Sequence, residues 1–267
     1  MRRTVLALSA AALAAALTAC GQDSSSSPTP DSGQSENSSG LQQFTDAQEL
    51  ANTIVTKGSE KGTAKVTWEA NSQPGMECQV DFNSGLMACT SEVQEVVITD
   101  NGTYIKSPEL ARIAGDPSKE WLRTGGENPM EQQYDELGSL TDLNEVVGSG
   151  TTIANSTEEQ VDGQNTVRYE LVTDVQQAAA EAESEAAKNS YQLLLDNGVT
   201  ELKSTLWIGE DGLPVKAEAV NPAMNVMGRE IPETTVTMTY SDWGAPVQIT
   251  EPPADQVQEM NTPSMPN

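Results

Sequence analysis

The chain has 267 residues, a formal net charge of −26 at neutral pH and no histidine. Without histidine, Ser-His-Asp and Cys-His catalysis and metal sites built on imidazole are excluded. The acidic balance disfavours nucleic acid and anionic membrane surfaces as partners, because like charges repel. We therefore expect a protein that is not an enzyme and that has no metal and no cofactor.

Residues 1–19 have the three zones of a secretory signal peptide. A basic start, Met1–Arg3, precedes an apolar run, Val5–Leu17, that is shorter than the roughly 20 residues needed to span a bilayer. The next residues, up to Cys20-Gly21, resemble the lipobox of bacterial lipoproteins. That resemblance implies cleavage before Cys20, a diacylglyceryl group on its sulfur and an acylated amino group. The alternative is an ordinary signal peptide followed by an incidental cysteine.

Residues 20–44 are predicted to be the lipidated cysteine and a disordered tether. Gln22–Gly40 consists almost entirely of Ser, Pro, Thr, Asp, Asn, Gln and Gly, which cannot bury enough apolar surface to fold. About 20 flexible residues have a root-mean-square reach of roughly 25 Å. We therefore expect a domain that stands off the outer face of the cell membrane, which it contacts through the lipid anchor.

One domain is predicted for residues 45–250, and its first half is a helix followed by strands. Asp46 is expected to cap a helix that runs to about Lys57. Alternating apolar residues predict a strand at Thr63–Ala70, and another pair at Val93–Thr99 and Thr103–Lys106. Between that pair, Asn101-Gly102 is expected to supply the two positive φ angles of a type I′ turn. A further short strand is predicted around Trp121.

Cys78 and Cys89 are predicted to form a structural disulfide. If Asn83-Ser84 is a two-residue hairpin turn, the two cysteines face each other closely enough to bond. A three-residue loop would shift the register by one residue. Exported proteins occupy compartments where disulfides persist, and the pair lacks the Cys-x-x-Cys spacing of redox centres.

The second half mixes helices with strands. Asn128–Val147 is predicted to be helical in two pieces, and Asp174–Asn197 is predicted to be the longest helix. The latter has a thin apolar face that suits close packing on a sheet, with a lid over an opening as the alternative. Strands are expected at Gly150–Ala154, Thr166–Thr173, Thr200–Ile208, Leu213–Asn221 and Pro232–Tyr240. Residues 251–267 are expected to be a loose proline-rich tail, and the whole is α+β with one long antiparallel sheet.

Several short segments behind the lipobox resemble one family when taken in order. They are Asp100–Lys106, Val161–Gly163, Val167–Tyr169, Leu206–Lys216, Thr237–Gly244 and Pro252–Asp255. In this order they resemble the LppX/LprAFG-type lipoproteins of actinobacteria, within the LolA-like superfamily. The resemblance implies a curved antiparallel β half-barrel with helices on its concave side. It also implies an apolar cavity, which carries acyl chains of lipids or lipoglycans in the better-understood relatives.

Two functions follow as hypotheses. The first is binding or transfer of lipid or acyl chains in the cell envelope, driven by roughly 0.8 kcal/mol for each methylene removed from water. Strand phase selects the candidate cavity residues, each of which would otherwise be ordinary core: Trp68, Val80, Phe82, Leu171, Leu206 and Met238. The alternative is a non-catalytic interaction or sensor lipoprotein with a filled core and a protein partner for its acidic surface.

Overall fold

The computed structural model describes residues 40–71, 73–108, 116, 118–124, 141–182, 185–226 and 228–259. The predicted signal peptide, Cys20 and the tether up to residue 39 lie outside the described residues. Residues 128–140 of the predicted helical stretch also lie outside them. All described elements belong to one unit built around a single large sheet.

Three α-helices are described: α1 Ala47–Lys61, α2 Val175–Glu181 and α3 Glu185–Asp196. The predicted cap of α1 is confirmed, because the Asp46 carboxylate accepts a hydrogen bond from the Glu49 N–H at 2.8 Å. The helix extends beyond the predicted end and stops at Gly62, whose φ of 79° suits glycine. A short 3₁₀ helix, Leu143–Val147, lies beside α1.

Twelve of the described strands form one open sheet. The strands of the chain are β1 Thr63–Ala70, β2 Gln73–Asp81, β3 Leu86–Thr90, β4 Glu95–Thr99, β5 Gly102–Lys106, β6 Trp121–Thr124, β7 Thr151–Val161, β8 Gln164–Asp174, β9 Glu201–Gly209, β10 Pro214–Asn221, β11 Met224–Val226, β12 Arg229–Ile231, β13 Thr234–Ser241 and β14 Val257–Glu259. Their order in the sheet is β14-β6-β5-β4-β3-β2-β1-β13-β10-β9-β8-β7, with β14 and β7 as the edge strands, and β11 and β12 form a separate small hairpin that the sequence did not predict.

The predicted fold class is confirmed. The sheet is strongly curved and does not close, so it forms an antiparallel half-barrel with the helices on its concave side. Its central pair joins distant parts of the chain, since Lys65 in β1 lies opposite Ser241 in β13. Only the pairing of β14 with β6 is parallel among these strands.

One face of every strand points to the concave side, which we call the inner face. A continuous row of opposed residues crosses six strand pairs on this face: Leu122, Ile105, Val96, Cys89, Cys78, Val66 and Tyr240. A second apolar cluster forms where α1 packs on β8 and β9, with Leu50 and Ile54 fully buried against Tyr169 and Leu206. Because side chains alternate along a strand, this face carries most of the core.

The structure contains the predicted disulfide. Cys78 and Cys89 lie directly opposite each other on β2 and β3, with their Cα atoms 4.0 Å apart. The register is the expected one, but the turn is not the two-residue turn that was considered: the ladder ends at Asp81 and Leu86, and residues 82–85 form the turn. Both cysteines are 2% exposed, so the bond belongs to the core of the inner face.

The predicted type I′ turn at Asn101-Gly102 is wrong. Thr99 pairs with Gly102, so Asp100 and Asn101 are the central residues of that turn, and Asn101 does not have a positive φ. The turn with two positive φ angles is Asp162-Gly163, between β7 and β8, at 51° and 81°. Asp-Gly serves this turn as well as Asn-Gly does, because glycine carries no Cβ and aspartate tolerates the left-handed region.

The prediction of one long helix at Asp174–Asn197 is also wrong. Asp174 does cap a helix, but α2 ends at Glu181 because the next residue, Ala182, has a non-helical ψ of 131°, and α3 is a separate helix. The predicted apolar face consisted mainly of alanines, which bury too little area to hold one straight helix on the sheet. As a result Leu193 is 41% exposed instead of packed.

The C-terminal segment differs from the expected loose tail as far as Glu259. It crosses the outer face of the sheet, where the Gln248 N–H donates to the Gln79 Oε1 at 3.1 Å. Farther along, the Glu251 carboxylate accepts hydrogen bonds from Thr99 and Asn101 at 2.9 and 2.6 Å. Its last described residues form β14 beside β6, which was missed because a three-residue strand gives no periodic signal.

Candidate ligand cavity

A cavity of about 280 Å³ lies on the inner face of the sheet, where β8 ends and β9 begins. Its floor is formed by β8, β9, β10 and β13. Among the described residues, its cover is formed by Asp142 and residues 145–148, in and around the 3₁₀ helix, and by Tyr191 of α3. The cavity therefore lies between the curved sheet and the helical elements on its concave side.

The floor combines large apolar residues with small ones. Leu171, Leu206 and Met238 point to the inner face, and the pairing of strands sets Ser204, Ala217 and Ala219 between them. Because serine and alanine side chains are short, they leave the space above them unfilled. The cavity thus arises from the residue sizes on β9 and β10.

Alternation along the strands shows which bordering residues reach the cavity with their side chains. Lys203 and Glu218 border it, but they alternate with the inward Ser204 and Ala217, so their side chains lie on the outer face. Glu218 accordingly pairs with Lys216 at 2.8 Å on that face. Among the described residues, then, the floor presents apolar side chains and uncharged polar groups.

Tyr240 forms the wall between the cavity and the core around the disulfide. Its ring stacks on Trp243 at 5.9 Å, and Trp243 stacks on Phe82 at 5.2 Å. The Trp243 indole N–H donates to the Pro214 carbonyl at 3.0 Å, which fixes the stack. Burial raises the pKa of Tyr240 to about 12, because the phenolate would have no water around it.

The cover of the cavity is acidic. The Asp142 carboxylate caps the 3₁₀ helix by accepting from the Asn144 N–H at 2.9 Å. Burial raises the pKa of Glu145, and the neighbouring Asp142 carboxylate adds to that rise. The pKa of Tyr191 is raised by burial and, to a lesser extent, by the Glu145 carboxylate. The three groups therefore interact across the cover of the cavity.

The predicted cavity residues all lie on the inner face, but they do not come together. Leu171, Leu206 and Met238 line the cavity. Val80 is fully buried in the core cluster beside the disulfide, and Phe82 belongs to the aromatic stack. Trp68 lies opposite Met238 on β1, outside the lining. Sequence reasoning missed Asp142, Glu145 and Tyr191, because no strand phase marks residues that reach a site from a cover.

Other classes of site are weaker in the described part of the chain. A second depression of about 380 Å³ lies between the start of α1 and the loop before β7, and it is mostly polar. No three Asp, Glu or Cys side chains of the described residues are grouped so that they could hold a metal ion. No helix in the same residues is long and apolar enough to cross a bilayer.

Several solved structures are similar to this chain in fold. LprF from Mycobacterium bovis is 17% identical, with 78% of this chain and 99% of LprF covered and a TM-score of 0.44. The Mycobacterium tuberculosis lipoprotein LppX is 13% identical, with 76% and 98% covered and a TM-score of 0.42. MucB, solved in complex with MucA(peri), is 15% identical, with 79% and 61% covered and a TM-score of 0.33.

No protein-family model matches the chain, and no curated protein sequence matches it. Two of the similar solved structures, LprF and LppX, are lipoproteins of the group that the sequence resembles. The identities are too low to transfer any ligand or residue role from these structures to this chain.

Proposed function

We propose that this protein is a lipid-anchored lipoprotein whose domain binds the acyl chain of a small amphiphile in the cavity. The observation that carries the proposal is the unfilled space above an apolar floor of Leu171, Leu206 and Met238. A packed domain interior leaves few voids larger than a water molecule. A void of this size, bordered by leucine and methionine, suits a ligand that fills it with methylene groups.

The volume limits the size of that ligand. About 280 Å³ falls just below the roughly 300–1,000 Å³ of ordinary small-molecule sites. A single acyl chain suits this space better than a lipid with several chains. Each methylene contributes roughly 0.8 kcal/mol, so about ten of them give roughly 8 kcal/mol before the cost of ordering the ligand.

The lipid anchor predicted from the sequence supports the same proposal. The lipobox-like residues ending at Cys20 and the tether to residue 44 would hold the domain near the outer face of the cell membrane. Amphiphiles are concentrated at that surface. The roughly 25 Å reach of the tether would let the cavity approach the lipid headgroups without a fixed orientation.

A protein-binding role is the second candidate. It is favoured by the charge of −26 and by the filled core on the disulfide side of the sheet. In that case the outer surface would carry the function and the small cavity would remain empty.

The proposal is tested by native mass spectrometry of the mature chain carrying Cys20→Ser, purified without detergent. We expect a bound amphiphile of one acyl chain that organic extraction releases. Ala219→Leu, which fills the floor of the cavity, should abolish the bound species. Thr237→Leu, on the outer face of β13 and outside the cavity lining, is the matched control and should retain it. Identical masses before and after extraction, with no lipid recovered, would contradict the proposal and favour a protein partner.

The anchor needs a separate test. In cells fed a labelled fatty acid, the wild-type chain should become labelled and sediment with membranes. Cys20→Ser should lose the label and appear in the soluble extracytoplasmic fraction. Labelling that persists in the variant would show that the anchor is not on Cys20.

A further inference from the structure

In the part of the chain that the structure describes, no ion pair balances Asp142 and Glu145, the two acids of the cavity cover. The ion pairs found among the described residues join lysines and arginines to other acids, and none of these pairs includes Asp142 or Glu145. The sequence also contains no lysine or arginine between Arg123 and Arg168, the stretch that supplies both acids. Two exposed acids therefore border the same space, and neither forms an ion pair with a described residue.

The floor does not supply a cation either. Among the described residues, Lys203 is the one basic residue that borders the cavity, and strand alternation places its side chain on the outer face. Other polar side chains that border the cavity on the inner face are hydroxyls and an amide, including those of Thr151, Thr173, Ser204 and Asn221. Among the described residues, the charged side chains that reach the cavity are thus the two acids of its cover.

This arrangement discriminates between headgroups. A carboxylate or phosphate at the cover would add a third negative charge beside Asp142 and Glu145. An ammonium group would instead relieve the repulsion between them, while the acyl chain lay on Leu171 and Met238. Moving a charged group out of water costs less free energy when an opposite charge lies beside its new position.

We infer that the cavity selects a single-chain amphiphile with an amine headgroup, the ammonium lying against Asp142 and Glu145 and the chain on the apolar floor. The inference rests on the proposed function, because it assigns the headgroup of the same ligand. It goes beyond that function by naming the charge that the site accepts.

Three probes with the same twelve-carbon chain test it: dodecylamine, dodecanol and dodecanoate. Binding to the mature chain carrying Cys20→Ser is measured by calorimetry below the critical micelle concentrations. At about 0.15 M salt, electrostatic attraction between exposed charges is largely screened beyond roughly 8 Å. We expect dodecylamine to bind about tenfold more tightly than dodecanoate, with dodecanol between them.

Two double variants separate the site from the overall charge. Asp142→Asn with Glu145→Gln should reduce the tenfold ratio to less than about threefold and leave dodecanol binding unchanged. Asparagine still caps the 3₁₀ helix, so the cover should keep its shape. Glu158→Gln with Asp162→Asn removes the same charge from the exposed strand β7 and its turn, outside the cavity, and should retain the ratio.

The outcomes distinguish the two proposals. Equal binding of the three probes, or tighter binding of dodecanoate, overturns the amine inference and leaves acyl-chain binding standing. Loss of the ratio in the β7 variant also overturns it, because the preference would then come from net charge. Failure of all three probes to bind overturns both proposals.

Discussion

In both halves of the sheet, alternate side chains point to the inner face, but the space on the concave side is filled in one half and covered in the other. On β1–β5, medium-sized side chains and the disulfide fill the concavity from the strands themselves. On β8–β10 and β13, small residues lie between the large ones, and the 3₁₀ helix and Tyr191 cover the space. The comparison shows that a cavity in this fold depends on where small residues meet a bridging cover.

Replacing a methionine with alanine should change the free energy of unfolding by very different amounts in the two halves, and this is the largest effect that we expect. Met87 is fully buried beside the disulfide, so Met87→Ala should lower the free energy of unfolding by about 2–5 kcal/mol. Met238 borders the cavity and is only partly buried, so Met238→Ala should cost less than about 1 kcal/mol. Urea denaturation of both variants measures the difference. Equal losses would mean that the cavity side is packed as tightly as the disulfide side.

Removing the disulfide should also affect stability without affecting the cavity. The bond closes a loop with a sequence separation of 11, so Cys78→Ala with Cys89→Ala should cost about 3 kcal/mol. Dodecanol affinity should change less than about twofold, because the cysteines do not line the cavity. A large loss of affinity in the still-folded variant would show that the two halves are energetically coupled.

Alkaline pH should act on the wall that separates the halves. Burial raises the pKa of Tyr240 to about 12, against about 10 in the unfolded chain. The folded state therefore resists ionisation, and stability that is present below pH 10 is lost as the pH rises towards 12, by about 2–3 kcal/mol.

Tyr240→Phe is the control for that measurement. It removes the titrating group and only a weak contact of the hydroxyl with the Met238 sulfur at 3.8 Å. The variant should therefore match the wild type at pH 7 and lose less stability above pH 10. Identical alkaline curves would assign the loss to other groups.

The smallest expected effect lies in the cover. The pKa of Glu145 is raised by burial and by Asp142, so its carboxylate is less stable in the folded state. The stability it contributes is present below pH 4.5 and is lost as the pH rises through its folded pKa. Glu145→Gln should therefore raise the unfolding free energy by a few tenths of a kcal/mol at pH 7, after allowance for solvent screening.

That gain should vanish at about pH 3, where the wild-type carboxyl is protonated in both states. Thermal unfolding of the two proteins at both pH values gives the comparison. A variant that is less stable than the wild type at pH 7 would mean that Glu145 has a favourable partner.

The sequence predicted the inner face well because strand phase is a local property. Alternation was enough to orient Leu171, Leu206 and Met238, and hairpin geometry was enough to pair Cys78 with Cys89. It could not separate cavity from core. Val80 and Phe82 have the same phase as Leu206, but neighbours distant in sequence, such as Trp243, decide that they are packed.

The cover was less predictable still. Asp142, Glu145 and Tyr191 come from two segments whose approach depends on the break at Ala182 and on packing beside α1. An alanine-rich stretch favours a helix, but it buries so little apolar area that the orientation of that helix on the sheet cannot be predicted from the sequence. The C-terminal strand was missed for a related reason, since its partner β6 is more than a hundred residues away in the chain.

The pairing of β1 with β13 has a consequence for how the domain acquires its structure. A chain that emerges N-terminus first, from a ribosome or a translocation channel, can form the hairpins of β1–β5 early, because their partners are adjacent. The pairing of β1 with β13 cannot be completed until Ser241 has emerged. Until then β1 exposes an unpaired edge, and such edges invite association with other chains. Charges on that strand, including Lys65 and Glu69, would discourage misassembly during this interval.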